Sequence, residues 1–404
     1  MVLGAILLQG SLTSCSDKLN ITSGEVASET LQWSSISDTK AGLLGTYGLL
    51  RVAMLENNAH WMYGELRSGD LISYSRSDLS AINTNNLKAS YPLIKDLTNW
   101  RRFYAVINAA SVFIERAPEV LAKDSRYTAL NLKMDIAQAR AIRAFTYFYM
   151  VRIWGDVPLI TKSFDDGSFV QRARTDQKAV LNFAESELLA AVEDLQYGYG
   201  FSLAQYYGET NAYWRKILFN KLTAYAVLAH ISAWQGKYIN VDAYTEFIMN
   251  NYPTVSVNYI SSIGDLTGLR GIFSNNHDAG QLLSIPASYN FGEATATGHI
   301  EQLTLADPFI AKQRPDIYVP KDSIVNIFKD INDSRFGIDT ISGLTRTNYF
   351  TNYSGEIPIF SKIKIIRDGV ADGSYAVFGS NLIFTRLEEI ALLRAEALAV
   401  LGNR

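Results

Sequence analysis

The sequence is poor in the residues that support disulfide, zinc or nucleic-acid chemistry. It contains one cysteine, Cys15, and four histidines, His60, His230, His277 and His299, in 404 residues. A single cysteine excludes a disulfide framework, and no two histidines have the spacing of a zinc-binding motif. Charge is nearly balanced, with 37 Lys and Arg against 40 Asp and Glu, so no positive excess is present to bind a phosphate backbone. The sequence therefore predicts no metal site and no nucleic-acid partner.

Motifs for catalysis or cofactor binding are also missing. There is no G-x-S-x-G nucleophile elbow, and the Gly-Tyr-Gly at 198–200 lacks the third glycine and preceding strand of a dinucleotide-binding loop. The adjacent carboxylates at 165–166 and 388–389 point in different directions, whereas an acid/base pair must face across a substrate. The sequence thus predicts a protein that is not an enzyme and binds no cofactor. A surface glycoside hydrolase, with catalytic acids distant in sequence, remains an alternative.

After Cys15, no apolar run approaches the roughly 18 residues that a membrane-spanning helix needs. Before it, a short apolar run at residues 2–8 is followed by Leu12, Thr13, Ser14 and Cys15. An apolar core, small residues and then cysteine form a lipoprotein signal, because the thiol carries the diacylglycerol anchor after cleavage. We therefore predict a signal peptide over residues 1–14 and lipidation of Cys15. The alternative is a buried free cysteine in an N-terminal helix.

Helical periodicity dominates the first part of the chain. Apolar residues recur at spacings of three and four in segments 43–54, 103–114, 137–151, 181–195 and 390–400. Gly155 predicts the end of the third of these helices, Asp176 the N-cap of the fourth, and Arg386 the start of the last. A helical segment at 213–235, a glycine turn at 236–238 and a second helix at 241–250 predict a hairpin of helices. Such a pair must stack on neighbours to bury its apolar faces.

The character of the sequence changes from about residue 252 to residue 384. Gly, Asn, Asp, Ser and Pro become frequent there, and the helical stripes stop. Between residues 357 and 365, isoleucines alternate with Phe360, Lys362 and Lys364, which predicts a half-buried strand. The sequence thus predicts a mostly α fold of stacked helix pairs with an irregular, loop-rich second half that contains short strands. No long linker separates the two parts, so we expect one compact body.

One long segment resembles a known family. Residues 138–159 read QARAIRAFTYFYMVRIWGDVPL, which is similar to the hallmark segment of the SusD/RagB family of outer-membrane nutrient-binding lipoproteins. Other segments also resemble the family and occur in the same order along the chain. They are the stretch from Trp100 through Tyr104 to Asn108, the turn at 236–238, the Arg-Pro-Asp at 314–316, and the closing helix at 386–398. With the cysteine signal, the resemblance covers nearly the whole chain.

The resemblance implies a fold, a function and partners. It implies tetratricopeptide-like helix pairs in an N-terminal helical region at 15–251, followed by a SusD/RagB-like C-terminal region at 252–404. It also implies a cell-surface lipoprotein of the outer membrane that captures glycans and delivers them to a SusC-like TonB-dependent transporter. Because family members usually continue beyond the last helix, we expect the C-terminal region to be incomplete.

Ligand-binding residues are expected where aromatic and polar side chains share a loop. Aromatic rings stack on the apolar faces of sugars, while amides, carboxylates and Arg groups hydrogen bond to the hydroxyls. Two loop stretches, 60–91 and 288–314, carry such residues on the helical scaffold. The candidate ligand-binding residues are Trp61, Tyr63, Tyr74, Arg76, Asp78, Asn83, Tyr91, Tyr289, Asn290 and Phe291. For each aromatic residue, the alternative is packing in the core.

Two further functions stay open from the sequence. One is a peptide-binding member of the same family. The other is a helical-repeat adaptor for protein partners, which would expose its aromatic residues along a concave helix face and not on loops.

Overall fold

The computed structural model of the protein describes residues 32–164, 170–200, 206–215, 217–274, 280–339, 341–343, 345–370 and 375–402. The expected signal peptide, Cys15, His277 and the carboxylates at 165–166 lie outside these residues. Among the helices that are described, none is both long enough and apolar enough to cross a membrane.

The fold is mostly α-helical. Its α-helices are α1 (Ile36–Leu55), α2 (Ala59–Tyr63), α3 (Glu65–Ser68), α4 (Ser77–Asn83), α5 (Pro92–Leu97), α6 (Arg101–Arg116), α7 (Ala129–Trp154), α8 (Gln177–Asp194), α9 (Asn211–Trp214), α10 (Lys221–Trp234), α11 (Tyr238–Asn251), α12 (Ile263–Thr267), α13 (Ile300–Thr304), α14 (Lys321–Ile327) and α15 (Leu387–Val400).

Short antiparallel strand pairs lie mainly in the second half. The strands are β1 (Ile72–Ser73), β2 (Leu283–Ile285), β3 (Ile317–Tyr318), β4 (Gly337–Ile338), β5 (Thr345–Arg346), β6 (Phe350–Thr351), β7 (Ile359–Phe360), β8 (Ile366–Arg367), β9 (Val377–Phe378) and β10 (Leu382–Thr385). They pair as β1 with β3, β2 with β10, β4 with β5, β6 with β7, and β8 with β9. Two-stranded pairs of this length are not stable alone, so they depend on packing against the helices.

Helix ends follow local sequence signals. The side chain of Thr128 accepts a hydrogen bond from the backbone N–H of Asn131 and starts α7, whose C-cap is Gly155 with φ +68°. Asp176 caps α8 by accepting from the backbone N–H of Lys178 at 2.9 Å. Arg386 is the N-cap residue of the last helix. The predicted helix ends at these positions are confirmed.

Helix α7 is the centre of the helical part. Every residue from 137 to 151 except Arg140 is buried, so the helix is covered on all sides. It packs against α6 on one side and α8 on the other. The Arg143 guanidinium donates to the Glu187 carboxylate of α8, with 2.9 Å between Nε and Oε2, and this ion pair is buried.

Helices α10 and α11 form the predicted hairpin, with Gly236 at φ +70° in the turn between them. The predicted extent of the first helix, 213–235, is wrong at its start. Asn220 has an extended backbone and its side chain accepts from the Thr223 N–H, which begins a new helix at Lys221. Helix α15 packs on α11 and extends the stack, so the predicted fold of stacked tetratricopeptide-like helix pairs is confirmed.

The irregular second half reaches the helical core through side chains of the strands. The ring of Phe384 in β10 lies edge-on to Phe145 of α7, with 4.8 Å between the ring centroids. The isoleucines at 357, 359, 363 and 365 are buried as the alternation predicts, but only Ile359 and Phe360 of that run form a strand. The predicted alternation of buried isoleucines is therefore correct, but the predicted strand is too long. Its hydrogen-bonded part is limited to two residues, which pair with the two residues of β6.

Candidate ligand-binding site

Three of the predicted residues, Tyr74, Arg76 and Asp78, lie next to the β1–β3 strand pair. Ile72 pairs with Tyr318, and the backbone N–H of Tyr74 donates to the Asp316 carbonyl at 3.0 Å. This pairing places the Tyr74 and Tyr318 rings edge-on, with 6.4 Å between centroids. Tyr74 is 39% exposed, so its ring is available to a ligand.

Charged groups surround these two rings. The guanidinium of Arg314 lies 4.9 Å from the centroid of the Tyr74 ring, an attractive cation–π arrangement. Arg76 pairs with Asp78 at 2.7 Å and with Asp316 at 3.6 Å. We call this group the Tyr74 cluster. Its members are Tyr74, Arg76, Asp78, Arg314, Asp316 and Tyr318.

Both charges of the Arg76–Asp78 pair are fixed in the folded protein. Burial raises the pKa of Asp78, but hydrogen bonds from Arg76 and from the Leu79 N–H outweigh it and lower the pKa below its usual value. The hydrogen bond to Asp78 raises the pKa of Arg76. The cluster therefore presents a carboxylate acceptor and a guanidinium donor beside the rings at neutral pH.

Tyr63, Asn83 and Tyr91 have structural contacts instead. The Tyr63 hydroxyl donates to the Leu97 carbonyl at 2.9 Å. The Asn83 amide donates to the carbonyls of Leu66 and Leu71, each at 2.9 Å. Tyr91 is half-buried against the core at the start of α5. These side chains hold the 60–91 segment in place.

Tyr289, Asn290 and Phe291 form a 3-10 turn away from the Tyr74 cluster. The Tyr289 hydroxyl donates to the carbonyls of Ile365 and Val377, both at 3.1 Å, so the ring is fixed beside β8 and β9. The Asn290 backbone N–H donates to the Ser288 hydroxyl oxygen. Phe291 is 58% exposed. In the described part of the chain, no hydrogen bond, ion pair or ring contact links the 289–291 turn to the Tyr74 cluster.

Trp61 lies in a different environment, a cavity of about 340 Å³ beside the same strand pair. The cavity includes Leu71 and Val319, which flank β1 and β3. Its aromatic lining consists of Trp61, Phe273, Phe328, Tyr349, Phe350, Phe360 and Phe384, with the imidazole of His60 beside them. We call it the aromatic cavity. Trp61 is 8% exposed and contributes a wall of the cavity, not an open stacking platform.

The aromatic cavity also contains charged groups. Lys362 lies among the rings, while Glu65, Asp70 and Glu389 are solvent-exposed lining residues. Sequence reasoning did not assign Lys362 or Phe360 to a site. The available signal was the alternation at 357–365, in which Phe360 and Lys362 stand between the isoleucines and are half-buried in the structure.

A second cavity, of about 250 Å³, lies between α1, α7, β2 and β10. Leu44, Met54 and Phe145 line it together with Phe291 of the predicted set. His60 and Phe384 line both cavities. Burial lowers the pKa of His60 to about 4, so the imidazole is neutral at physiological pH and shares a 2.9 Å hydrogen bond with the Tyr149 hydroxyl.

Among the residues that the structure describes, no group of three or more His, Cys, Asp or Glu side chains could hold a metal ion.

The curated relatives that match this sequence are SusD-like proteins. No family model matches the sequence. SusD-like protein P38 of Formosa agariphila is 29% identical over 191 residues, which is 46% of this chain and 35% of that protein. A SusD-like protein of Bacteroides ovatus is 36% identical over 96 residues, covering 24% of this chain and 17% of the relative. The matches span less than half the length of these relatives.

Solved structures share the whole described fold. A SusD superfamily protein of Bacteroides thetaiotaomicron is 50% identical with a TM-score of 0.82, covering 92% of this chain and 78% of that chain. A laminarin-binding SusD-like protein matches with a TM-score of 0.63 at 20% identity, over 90% of this chain and 80% of the other. The stacked helix pairs and irregular half define a SusD-type helical protein. This chain belongs to the SusD superfamily, as the segment at 138–159 indicates.

Proposed function

We propose that this protein captures glycans at the cell surface through the Tyr74 cluster. The observation that carries the proposal is an exposed tyrosine beside a second aromatic ring, with Arg76, Asp78 and Arg314 around them. The two rings offer apolar faces for a sugar, and the charged groups offer donors and acceptors for its hydroxyls. A net charge of only −3 gives the chain no strong field of either sign, which suits a ligand recognised mainly by stacking and by hydrogen bonds to hydroxyls.

The cluster is organised before a ligand arrives. The β1–β3 pairing fixes the backbone on both sides, and the Arg76–Asp78 and Arg76–Asp316 contacts fix the polar side chains. A site of this kind loses little conformational entropy on binding, which favours affinity for a flexible oligosaccharide. Structural neighbours described as a laminarin-binding SusD-like protein and a SusD-like carbohydrate-binding protein support a glycan as the ligand.

The proposal extends to location and partner. Cys15 carries a lipid that holds the protein on the outer membrane, and a SusC-like TonB-dependent transporter receives the glycan. Membership of the SusD superfamily supports both steps. The role is one of binding and delivery and includes no catalytic step.

Calorimetric titration against a panel of neutral oligosaccharides, including laminarin fragments, tests the binding role. We expect Tyr74→Ala and Tyr318→Ala each to weaken binding by about 1–3 kcal/mol, the range of single residues at a binding hot spot. The melting temperature of Tyr74→Ala should change little, because the Tyr74 ring is 39% exposed, whereas Tyr318 is half-buried and its variant should lose some stability as well as affinity. Tyr375→Ala is a matched control, since Tyr375 is an 84% exposed tyrosine outside the cluster.

Two results would contradict the proposal. If no oligosaccharide produces heat, a peptide ligand is favoured, and the same titration with a peptide panel would identify it. If glycans bind but the Tyr74 and Tyr318 variants retain wild-type affinity, the site lies elsewhere on the protein.

A further inference from the structure

Lys362 is a cationic side chain whose ammonium lies beside two aromatic rings. Its Nζ lies 5.1 Å from the centroid of the Tyr349 ring and 5.5 Å from that of Phe273, and all three residues line the aromatic cavity. Within the described part of the chain, this ammonium has no hydrogen-bond acceptor and no carboxylate within 4.0 Å. The rings give partial compensation, but they do not replace a counter-ion.

Several other partly buried lysines have a polar partner, whereas in the described structure Lys221 and Lys321, like Lys362, lie only over aromatic rings. Lys364, two residues further on, donates to the Ser361 carbonyl at 3.1 Å. Lys312 pairs with Asp316 at 2.9 Å, and Lys237 pairs with Glu185 at 2.7 Å. Lys362 is half-buried and has no such partner among the described residues, so its ammonium is compensated only by solvent and by the two rings.

Electrostatics at Lys362 agree with this geometry. Burial, assisted by repulsion from Arg386, lowers the pKa of the Lys362 amine to about 8. Protonation still predominates at neutral pH, so the cavity contains a positive charge. The negative charge of Glu65 raises the pKa of Lys362, but the Glu65 carboxylate is too far away to form an ion pair with it.

Trp61, another residue that lines the cavity, has a donor without a partner in the described structure. The indole N–H of Trp61 is buried and makes no hydrogen bond with the residues that the structure describes. Buried donors are normally satisfied, and an unsatisfied one costs about 1–3 kcal/mol. Among the described residues, those that line the cavity therefore include a half-buried ammonium without a carboxylate partner, at Lys362, and a buried indole N–H without an acceptor, at Trp61.

We propose that the aromatic cavity binds an acidic sugar residue of the captured glycan, with its anionic group paired to Lys362. The apolar face of the sugar ring packs against the aromatic wall, and the exposed carboxylates of Glu65, Asp70 and Glu389 accept hydrogen bonds from its hydroxyls. This inference rests on the proposed glycan-binding function and assigns a subclass of ligand. The volume of about 340 Å³ suits a small ligand group.

Proximity to the Tyr74 cluster supports one continuous ligand. Leu71 and Val319 line the cavity, while Tyr74 and Tyr318 belong to the cluster. These residues flank the same two short strands, so the cavity and cluster are separated by a few residues of chain on each strand. An oligosaccharide that stacks at Tyr74 can extend its acidic residue toward Lys362.

The test compares oligosaccharides that differ at one residue: glucose-terminated, glucuronate-terminated and sulfated. Calorimetry with the wild-type protein should show at least tenfold tighter binding of an anionic form than of the neutral form. The glucuronate and sulfate arms distinguish a carboxylate from a sulfate as the source of the anion. Lys362→Met should weaken binding of the anionic form until it equals that of the neutral form, while Lys362→Arg should retain part of the preference.

Lys321→Met provides the matched control. Lys321 also lies over a tyrosine ring, 5.5 Å from the centroid of Tyr353, but it does not line the cavity. This variant should keep the preference for anionic glycans. The melting temperature of Lys362→Met should stay close to that of the wild type, because the half-buried ammonium has no ion pair to lose in the described part of the chain.

The outcomes separate this inference from the proposed function. Equal affinity of the wild type for anionic and neutral glycans overturns the cavity assignment and leaves glycan capture standing. An anionic preference that survives Lys362→Met also overturns it. If no glycan of any charge binds, the proposed function fails, and the cavity assignment fails with it.

Discussion

The hydroxyl of Tyr127 donates a 2.7 Å hydrogen bond to the carboxylate of Asp135, which is fully buried in helix α7. Tyr206 and Tyr207 donate to the same carboxylate from a separate part of the chain. Burial raises the pKa of Asp135 to about 6, since the three hydroxyl donors compensate only partly for lost hydration. This one side chain thus joins three segments and remains sensitive to pH.

The first prediction concerns the pH dependence of stability. A carboxyl whose pKa is 3.8 when unfolded and about 6 when folded stabilises the protein fully below pH 3.8, and this contribution is lost as pH rises through 6. Asp135→Asn removes the titration. We expect the free energy of unfolding of the wild type, relative to the variant, to fall between pH 4 and pH 7 in urea titrations. A difference that is constant with pH would show that Asp135 does not titrate in this window.

The second prediction concerns the buried ion pair between α7 and α8. Glu187→Leu leaves the Arg143 guanidinium buried without its carboxylate, although Ser111 and Thr161 still accept hydrogen bonds from it. We expect a loss of about 3–5 kcal/mol in the free energy of unfolding. The double variant Arg143→Met with Glu187→Leu should lose less than the single variant, because no buried charge remains unpaired.

An exposed ion pair is the control for that measurement. Lys123 and Glu119 are 3.1 Å apart on the surface, and their side chains are 43% and 38% exposed. Glu119→Ala should cost less than about 1 kcal/mol, the usual value of a surface pair. Equal costs at the two sites would contradict the structural burial of the Arg143–Glu187 pair.

The third prediction concerns packing around α7. Phe148 is 1% exposed and lies edge-on to Phe384, with 6.3 Å between ring centroids. Phe148→Ala should cost about 3–5 kcal/mol through lost burial and the cavity that remains. Leu392→Ala, at a position that is 72% exposed, should change stability by less than about 0.5 kcal/mol. Thermal and urea unfolding of both variants measure the contrast.

The sequence predicts the helical scaffold well because its signals are local. The stripe at 137–151, the positive-φ residue Gly155 and the side-chain cap at Asp176 each lie within a few residues of the feature that they determine. The break before Lys221 was not predicted, since an apolar helical pattern continues through it and only the cap at Asn220 marks the new start.

The aromatic cavity could not be predicted in the same way. Its rings come from positions as distant as Trp61, Phe273 and Phe384, and they meet through contacts between segments far apart in the chain. Aromatic residues have similar sequence signals in a core and in a ligand site, so a residue such as Tyr63 could not be separated from Tyr74. The structure distinguishes the two residues: Tyr63 makes a hydrogen bond to Leu97, whereas Tyr74 is exposed.

The last prediction concerns the membrane anchor, and it rests on sequence alone because Cys15 lies outside the described residues. The cysteine follows Leu12, Thr13 and Ser14, in the form that a lipoprotein signal peptidase recognises. Cys15→Ala should abolish metabolic labelling with palmitate and move the protein out of the membrane fraction, since several acyl chains hold a protein firmly where one does not. Ser16→Ala, at the next position, should keep both the label and the membrane location. Retention of Cys15→Ala in the membrane fraction with palmitate still attached would show that the lipid is carried elsewhere, and the cysteine would then be an ordinary free thiol.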